Sequence, residues 1–195
     1  HPTNYGFEYY MGLTSGGAVA ADANMEENGT VSKQKGFTDN VLTTKAVQYI
    51  RKHKEGPFFL CLTYRNPHSP WRPAPKEDRA VYAGKDLAIP HLDYPDIDTA
   101  KLKRMMEDYM VNVASVDRNV GTVLTELENL GISENTIVIF TSDNGFNMGH
   151  NGIWHKGNGI WATKTLPEST ENIEGRYRPY LYDNSLKVPG IIKWP

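Results

Sequence analysis

The sequence predicts an α/β protein in which a mostly parallel central sheet is flanked by helices. Two apolar runs of strand length, 58–64 and 136–141, have the composition of strands covered on both faces. Between them Leu102, Met106, Tyr109, Val113, Val116, Val120, Leu124, Leu127 and Leu130 trace one face of a long amphipathic helix. A strand, a helix and a second strand in that order imply a right-handed crossover, with the two strands parallel if they share a sheet.

Residues 1–36 are rich in Gly, Asn and Tyr with little periodicity and read as a surface segment. A short helix follows. Thr38 or Asp39 can cap it, Val41, Leu42, Ala46, Val47 and Ile50 form its apolar face, and Arg51, Lys52 and Lys54 sit near its end, where cations suit the helix dipole. Gly56 and Pro57 stop it before the first strand, in which Cys61 is expected to be buried.

Residues 65–101 hold six prolines and no sustained period. They are read as one long loop, far beyond the usual connection of about 4 to 6 residues, and such loops are often functional. Gly131 ends the long helix, 136–141 forms the second strand, and a Gly-rich loop runs to Lys187 before a last strand-like run over 188–194. Both long loops leave carboxyl ends of predicted strands, where open α/β sheets bind their ligands, so both are expected over one site.

The 195 residues suffice for one sizeable core, and 1–195 reads as part of a single domain. The chain opens His1-Pro2-Thr3-Asn4, with neither Met nor a signal-type apolar segment, and is read as an internal piece. Twenty-one basic against 23 acidic residues give a formal charge of -2, which argues against a nucleic-acid partner. No apolar run approaches the ~20 residues of a membrane span. With one cysteine, Cys61, the chain forms neither an internal disulfide nor a thiolate zinc cluster.

Past the second strand come Ser142, Asp143, Asn144 and Gly145. A carboxylate beside an amide oxygen offers two hard ligands for Ca²⁺ or Mg²⁺, although the same residues also make ordinary turns. Downstream, His150, His155 and Lys156 lie among glycines that let backbone approach a ligand, as in an anion pocket. Solvated surface side chains are the alternative there. His68 follows the first strand between Pro67 and Pro70, where an imidazole could bind an anion or donate a proton to a leaving group.

These residues occur in an ordered series: Phe58-Phe59-Leu60; Asn66-Pro67-His68-Ser69-Pro70; Val116-Asp117-Arg118-Asn119-Val120-Gly121; Asn135 through Gly145; Gly149-His150-Asn151-Gly152 with Lys156; and Tyr182 through Pro189. The series resembles the type I sulfatases of the alkaline phosphatase superfamily, as does the opening stretch through Gly6, Phe7, Glu8, Tyr9 and Tyr10. The resemblance covers most of the chain. It implies an alkaline phosphatase-like α/β fold and a protein that hydrolyses sulfate esters of a small molecule or glycan.

By the same resemblance, Asp143 and Asn144 are metal ligands, generally for Ca²⁺. Lys156 contacts the sulfate, His68 binds sulfate and protonates the leaving oxygen, and His150 and His155 are further substrate contacts. Lys164 rivals Lys156, but the Gly-flanked Lys156 better matches the family spacing. Family habit also implies a periplasmic, secreted or lysosomal protein.

One departure matters. The family nucleophile is a formylglycine matured within a Cys/Ser-x-Pro/Ala-x-Arg motif, and these residues contain no such motif. The resemblance therefore implies that the chain by itself is inactive. Two other readings stay open: a phosphodiester or phosphonate hydrolase of the same superfamily, because similar electrostatics serve a phosphoryl group, and a noncatalytic module that binds sulfated glycans.

Overall fold

The computed structural model describes residues 1–13, 19–156, 158–168, 177–179 and 181–195. Both helices and strands are present among the described residues, the strands gathered before the first α-helix and after the third. The chain divides into two compact units, one made of 1–84 and 108–136, the other of 85–107 and 137–195.

The first unit opens on a three-stranded antiparallel sheet of β1 (Met11–Leu13), β2 (Asn24–Glu27) and β3 (Thr30–Lys33). The sequence reading had only a surface segment here. The signal was Asn28-Gly29, whose φ values of 47° and 89° give the left-handed two-residue turn that suits a twisted hairpin. Strands of three or four residues are too short for their alternation to stand out. Residues 14–18 of this segment lie outside the described residues.

Helix α1 (Thr38–His53) buries Leu42, Ala46, Val47 and Ile50, as its period predicts, and Thr43 beside them, while Val41 is half-buried. Leu42 joins Ala23 and Met25 in a core against which Met11, Leu13, Val41 and Leu62 pack. Neither Thr38 nor Asp39 is the cap: Phe37 precedes the helix, and both polar residues are buried in its first turn. The Thr38 hydroxyl donates to the Val19 carbonyl, while the Asp39 carboxylate points at the loop that carries His68.

The run 58–64 forms no helix and joins no ladder among the described residues. Its exposure alternates. Phe58, Leu60, Leu62 and Tyr64 are half-buried, whereas Phe59, Cys61 and Thr63 are exposed. The expectation of a strand covered on both faces, with Cys61 inside it, is corrected accordingly: an apolar run shows that a segment can be buried, not how many neighbours it has. Helix α2 (Lys76–Tyr82) interrupts the proline-rich stretch that was read as one loop. Its Asp78, 2% exposed, accepts Arg118 Nε at 2.7 Å and Nη2 at 2.8 Å in a two-pronged ion pair.

Helix α3 (Thr99–Asn129) is the expected long helix. Its N–H and C=O ends are both met. The Asp98 carboxylate accepts the Lys101 N–H at 2.9 Å, and Gly131, at φ 69°, closes the other end through its own and the Ile132 N–H groups. The buried positions include Leu102, Met106, Val111 and Leu127, but also Asn112, Ser115, Asn119 and Glu126. An apolar template misses Asn112, Asn119 and Glu126 because distant partners make them burial-worthy: the Trp71 carbonyl, Thr43 and Arg51.

In the second unit β4 (Val138–Phe140) lies within the predicted run 136–141, but the expectation that it is covered on both faces is corrected: Val138 and Phe140 are half-buried and Ile139 is 65% exposed, because one face has no layer packed against it among the described residues. A three-stranded antiparallel sheet holds β5 (Ile153–Trp154), β6 (Asn158–Trp161) and β7 (Tyr177–Pro179) in sequence order. The short α4 (Asp183–Leu186) precedes β8 (Ile191–Lys193), which pairs with β4 in antiparallel register, Ile139 opposite Ile192. All the ladders between named strands among the described residues are antiparallel, not the parallel crossover pair expected from element order. Order in the chain constrains a crossover only when both strands enter one sheet. Of the Gly-rich stretch expected up to Lys187, residues 157, 169–176 and 180 lie outside the described residues. No helix among the described residues is long and apolar enough to cross a membrane.

Candidate active site

Strand β4 ends at Phe140, and the polar turn begins two residues later. The Ser142 hydroxyl donates to the Asn144 carbonyl at 3.0 Å and approaches Asp143 Oδ1 at 3.4 Å, so the exposed carboxylate and the half-buried amide leave the strand side by side. Gly145 donates its N–H to the Ser185 carbonyl at 3.0 Å. A Cβ there would run into the carbonyl oxygens of Asn184 and Lys187, so only glycine allows this turn to lie against α4.

The chain then folds over a buried amide. Asn147 is fully buried; its N–H donates to the His155 carbonyl and its Nδ2 to the His150 carbonyl, both at 2.8 Å. It thereby clamps both ends of the 147–155 loop. Gly149, at φ 94°, donates to Ile153, and the fully buried Trp154 anchors β5. His155 then takes a left-handed backbone at φ 77°, uncommon for a residue with a Cβ. The turn carries Lys156 back to the end of β4, where Nζ donates to Asn144 Oδ1 at 2.7 Å.

Asn144 and Lys156 are therefore brought together, as their placement on one loop suggested. Asn144 Nδ2 is held by the Gly145 carbonyl at 2.7 Å, which fixes the amide with its oxygen toward the cation. An ammonium has three donors, and among the described residues Asn144 accepts one of them. Asp143, Asn144 and Lys156 thus present hard oxygens beside a cation that retains capacity for an anion. Gly157 lies outside the described residues.

The two histidines differ. His155 faces Phe146, with ring centroids 5.6 Å apart. His150 packs edge-on against His91 at 4.7 Å, and its pKa is lowered, first by burial and then by the charge of that neighbour. His91 was passed over in the sequence, since nothing marks it within a proline-rich stretch; its Nδ1 accepts the Asn151 N–H at 3.3 Å. Lys164, the rival cation, is exposed, and its backbone N–H donates to the Asp96 carbonyl at 2.9 Å.

His68 belongs to the other unit. It is exposed, and its Nδ1 lies 2.5 Å from the Ser69 carbonyl. A carbonyl can only accept, so Nδ1 carries a proton and Nε2 is the nitrogen that can exchange one with a ligand. Arg65 reaches over the same turn, with Nη1 2.6 Å from the His68 carbonyl and Nη2 2.6 Å from Asn66 Oδ1.

Comparison with known proteins gives a consistent family. The family model described as Sulfatase matches residues 1–195. Human iduronate 2-sulfatase is 26% identical over 198 residues, covering 78% of this chain and 36% of the relative. N-acetylglucosamine-6-O-sulfatase of Bacteroides thetaiotaomicron is 23% identical over 250 residues, covering 89% of this chain and 41% of the relative. A protein solved in complex with its substrate D-glucosamine-2-N,6-O-disulfate superposes with a TM-score of 0.75 at 20% identity, over 97% of this chain and 50% of that one. At that identity the likeness is one of fold, the α/β fold of the sulfatases. The chain spans half or less of the length of each of these three proteins.

Proposed function

Because this chain belongs to the sulfatase family, we propose that the whole protein hydrolyses the sulfate esters of sugars. The observation that carries the reading is the contact of Lys156 with Asn144 at the end of β4, a cation seated beside the oxygens of Asp143 and Asn144. Two relatives are named for sulfatase action on iduronate and on N-acetylglucosamine, which supports a sulfated sugar as substrate.

Sulfatases generally use a divalent metal. The donors here fit one: Asn144 Oδ1 already attracts an ammonium, and a carboxylate stands next to it. Asp143 and Asn144 would hold the ion as part of a larger ligand set. We take it as Ca²⁺, with Mg²⁺ the alternative, since both are hard cations that select oxygen. When bound, the ion would draw charge from the sulfuryl oxygens.

The chain's own residues do the rest. Lys156 binds the sulfate through charge-assisted hydrogen bonds, and His150 and His155 line the same loop as further substrate contacts. As the S–O bond to the sugar breaks, its electron pair passes to the departing oxygen, and His68 Nε2 gives that oxygen a proton. The new bond to sulfur would come from the formylglycine hydrate that the family resemblance implies and that these residues lack; in the net reaction water gives its hydroxyl to sulfur, which leaves as sulfate, and its proton replaces the one that His68 passes to the alcohol.

The test is sulfate release by the purified whole protein from sulfated mono- and disaccharides in the presence of Ca²⁺. Release from at least one sulfated sugar is expected, with matched phosphodiesters turned over more slowly. Faster phosphodiester or phosphonate turnover would reassign the protein to phosphoryl transfer, and saturable binding without release would make it a glycan-binding module.

A further inference from the structure

We propose that Asp39, in the first turn of α1, is the positioning residue for His68: a buried carboxylate that holds the loop bearing the proton donor. Asp39 is 3% exposed, and its two oxygens accept two successive backbone N–H groups, Arg65 at 3.0 Å and Asn66 at 3.1 Å. Those residues immediately precede Pro67 and His68.

The loop is gripped from its other side as well. Arg65 donates to the His68 carbonyl and to Asn66 Oδ1, each at 2.6 Å. Carboxylate, two backbone amides and guanidinium therefore form one brace, and the His68 ring is attached to it through the Ser69 carbonyl. Prolines 67 and 70 restrict the backbone between these contacts.

A carboxylate is a costly way to satisfy two amides in a buried site. Burial raises the Asp39 pKa, opposed by the two N–H groups. Water or a serine could serve an ordinary turn. A carboxylate with both oxygens engaged instead fixes two consecutive peptide planes in orientation, which is what a proton donor held to within a fraction of an ångström requires. The network extends inward. The Thr43 hydroxyl, with one proton to give, lies 2.8 Å from the Asp39 carbonyl and 2.7 Å from Asn119 Oδ1, between α1 and α3.

The inference rests on the acid role proposed for His68, and the experiment separates the two. Asp39→Asn in the whole protein keeps the shape but presents an NH₂ group where one N–H now finds an oxygen. The kcat for a sugar sulfate should fall at least about ten-fold more than that for nitrophenyl sulfate, whose leaving group needs little protonation, with KM within about three-fold. Hydrogen exchange at the Arg65 and Asn66 amides should accelerate.

Arg51→Met, which breaks the ion pair with Glu126 near the other end of α1 without touching Asp39 or the loop amides, should lower Tm but leave the ratio of the two kcat values unchanged. Should Asp39→Asn not fold, Arg65→Lys loosens the same brace from the other side and must show the same selective loss. Equal losses on both substrates, or unchanged amide exchange, would overturn the proposal. His68→Ala run in parallel isolates the parent reading: if it harms neither substrate, the acid role fails, and the amide exchange of Asp39→Asn alone then decides the brace.

Discussion

Lys156 Nζ lies 2.7 Å from Asn144 Oδ1, twelve positions earlier in the chain. A metal held at this oxygen, as proposed for Asn144, would have to share it with the ammonium or displace it, so the roles proposed for Asn144 and Lys156 would be coupled.

Asp143→Ala in the whole protein is expected to abolish turnover and lower the bound divalent metal, because it removes the one carboxylate at the end of β4. Metal content by atomic spectroscopy, alongside sulfate release, checks this. Unchanged metal content with full activity would show that the pair is only a turn.

Lys156→Ala should reduce kcat/KM by ten-fold or more, since a charge-assisted contact is worth about 1.5 to 3 kcal/mol. Lys164→Ala should stay near wild type, because Lys164 lies beside Asp96. The opposite ranking of the two variants would identify Lys164 as the sulfate ligand.

His68→Ala should harm turnover of a sugar sulfate far more than that of nitrophenyl sulfate. General acid catalysis is typically worth 10² to 10⁴-fold and matters most for a poor leaving group. Comparable losses on both substrates would leave His68 a sulfate contact rather than the acid.

His150 predicts an acid-sensitive loop. Burial and His91 lower its pKa from the ordinary 6.5, so the unfolded chain takes up that proton more readily than the folded one. Its contribution is present above about pH 6.5 and is lost as the pH falls through the lowered folded value. Urea unfolding of His150→Gln at pH 7, 6 and 5 should show a shallower acid decline than wild type, and identical slopes would rule out this origin.

The sequence by itself determined the elements whose signal is local. Helix α1 and its buried face, the span of α3 with its Gly131 end, the apolar stretch that contains β4 and the polar turn at Asp143 and Asn144 all follow from periodicity, capping and turn chemistry within a few residues. Tertiary structure decided what depends on a distant partner. The period of 58–64 could not say that one face stays open, nor could the apolar run over 136–141 say that β4 takes β8 as its antiparallel neighbour. Asp39 looks like a helix cap until Arg65 and Asn66 arrive above it, and Asn147 looks like a loop residue until both ends of its loop close on it. The physical reason is common to these cases: a polar group's partners, and the number of neighbours around an apolar one, are set by chain segments that meet only on folding.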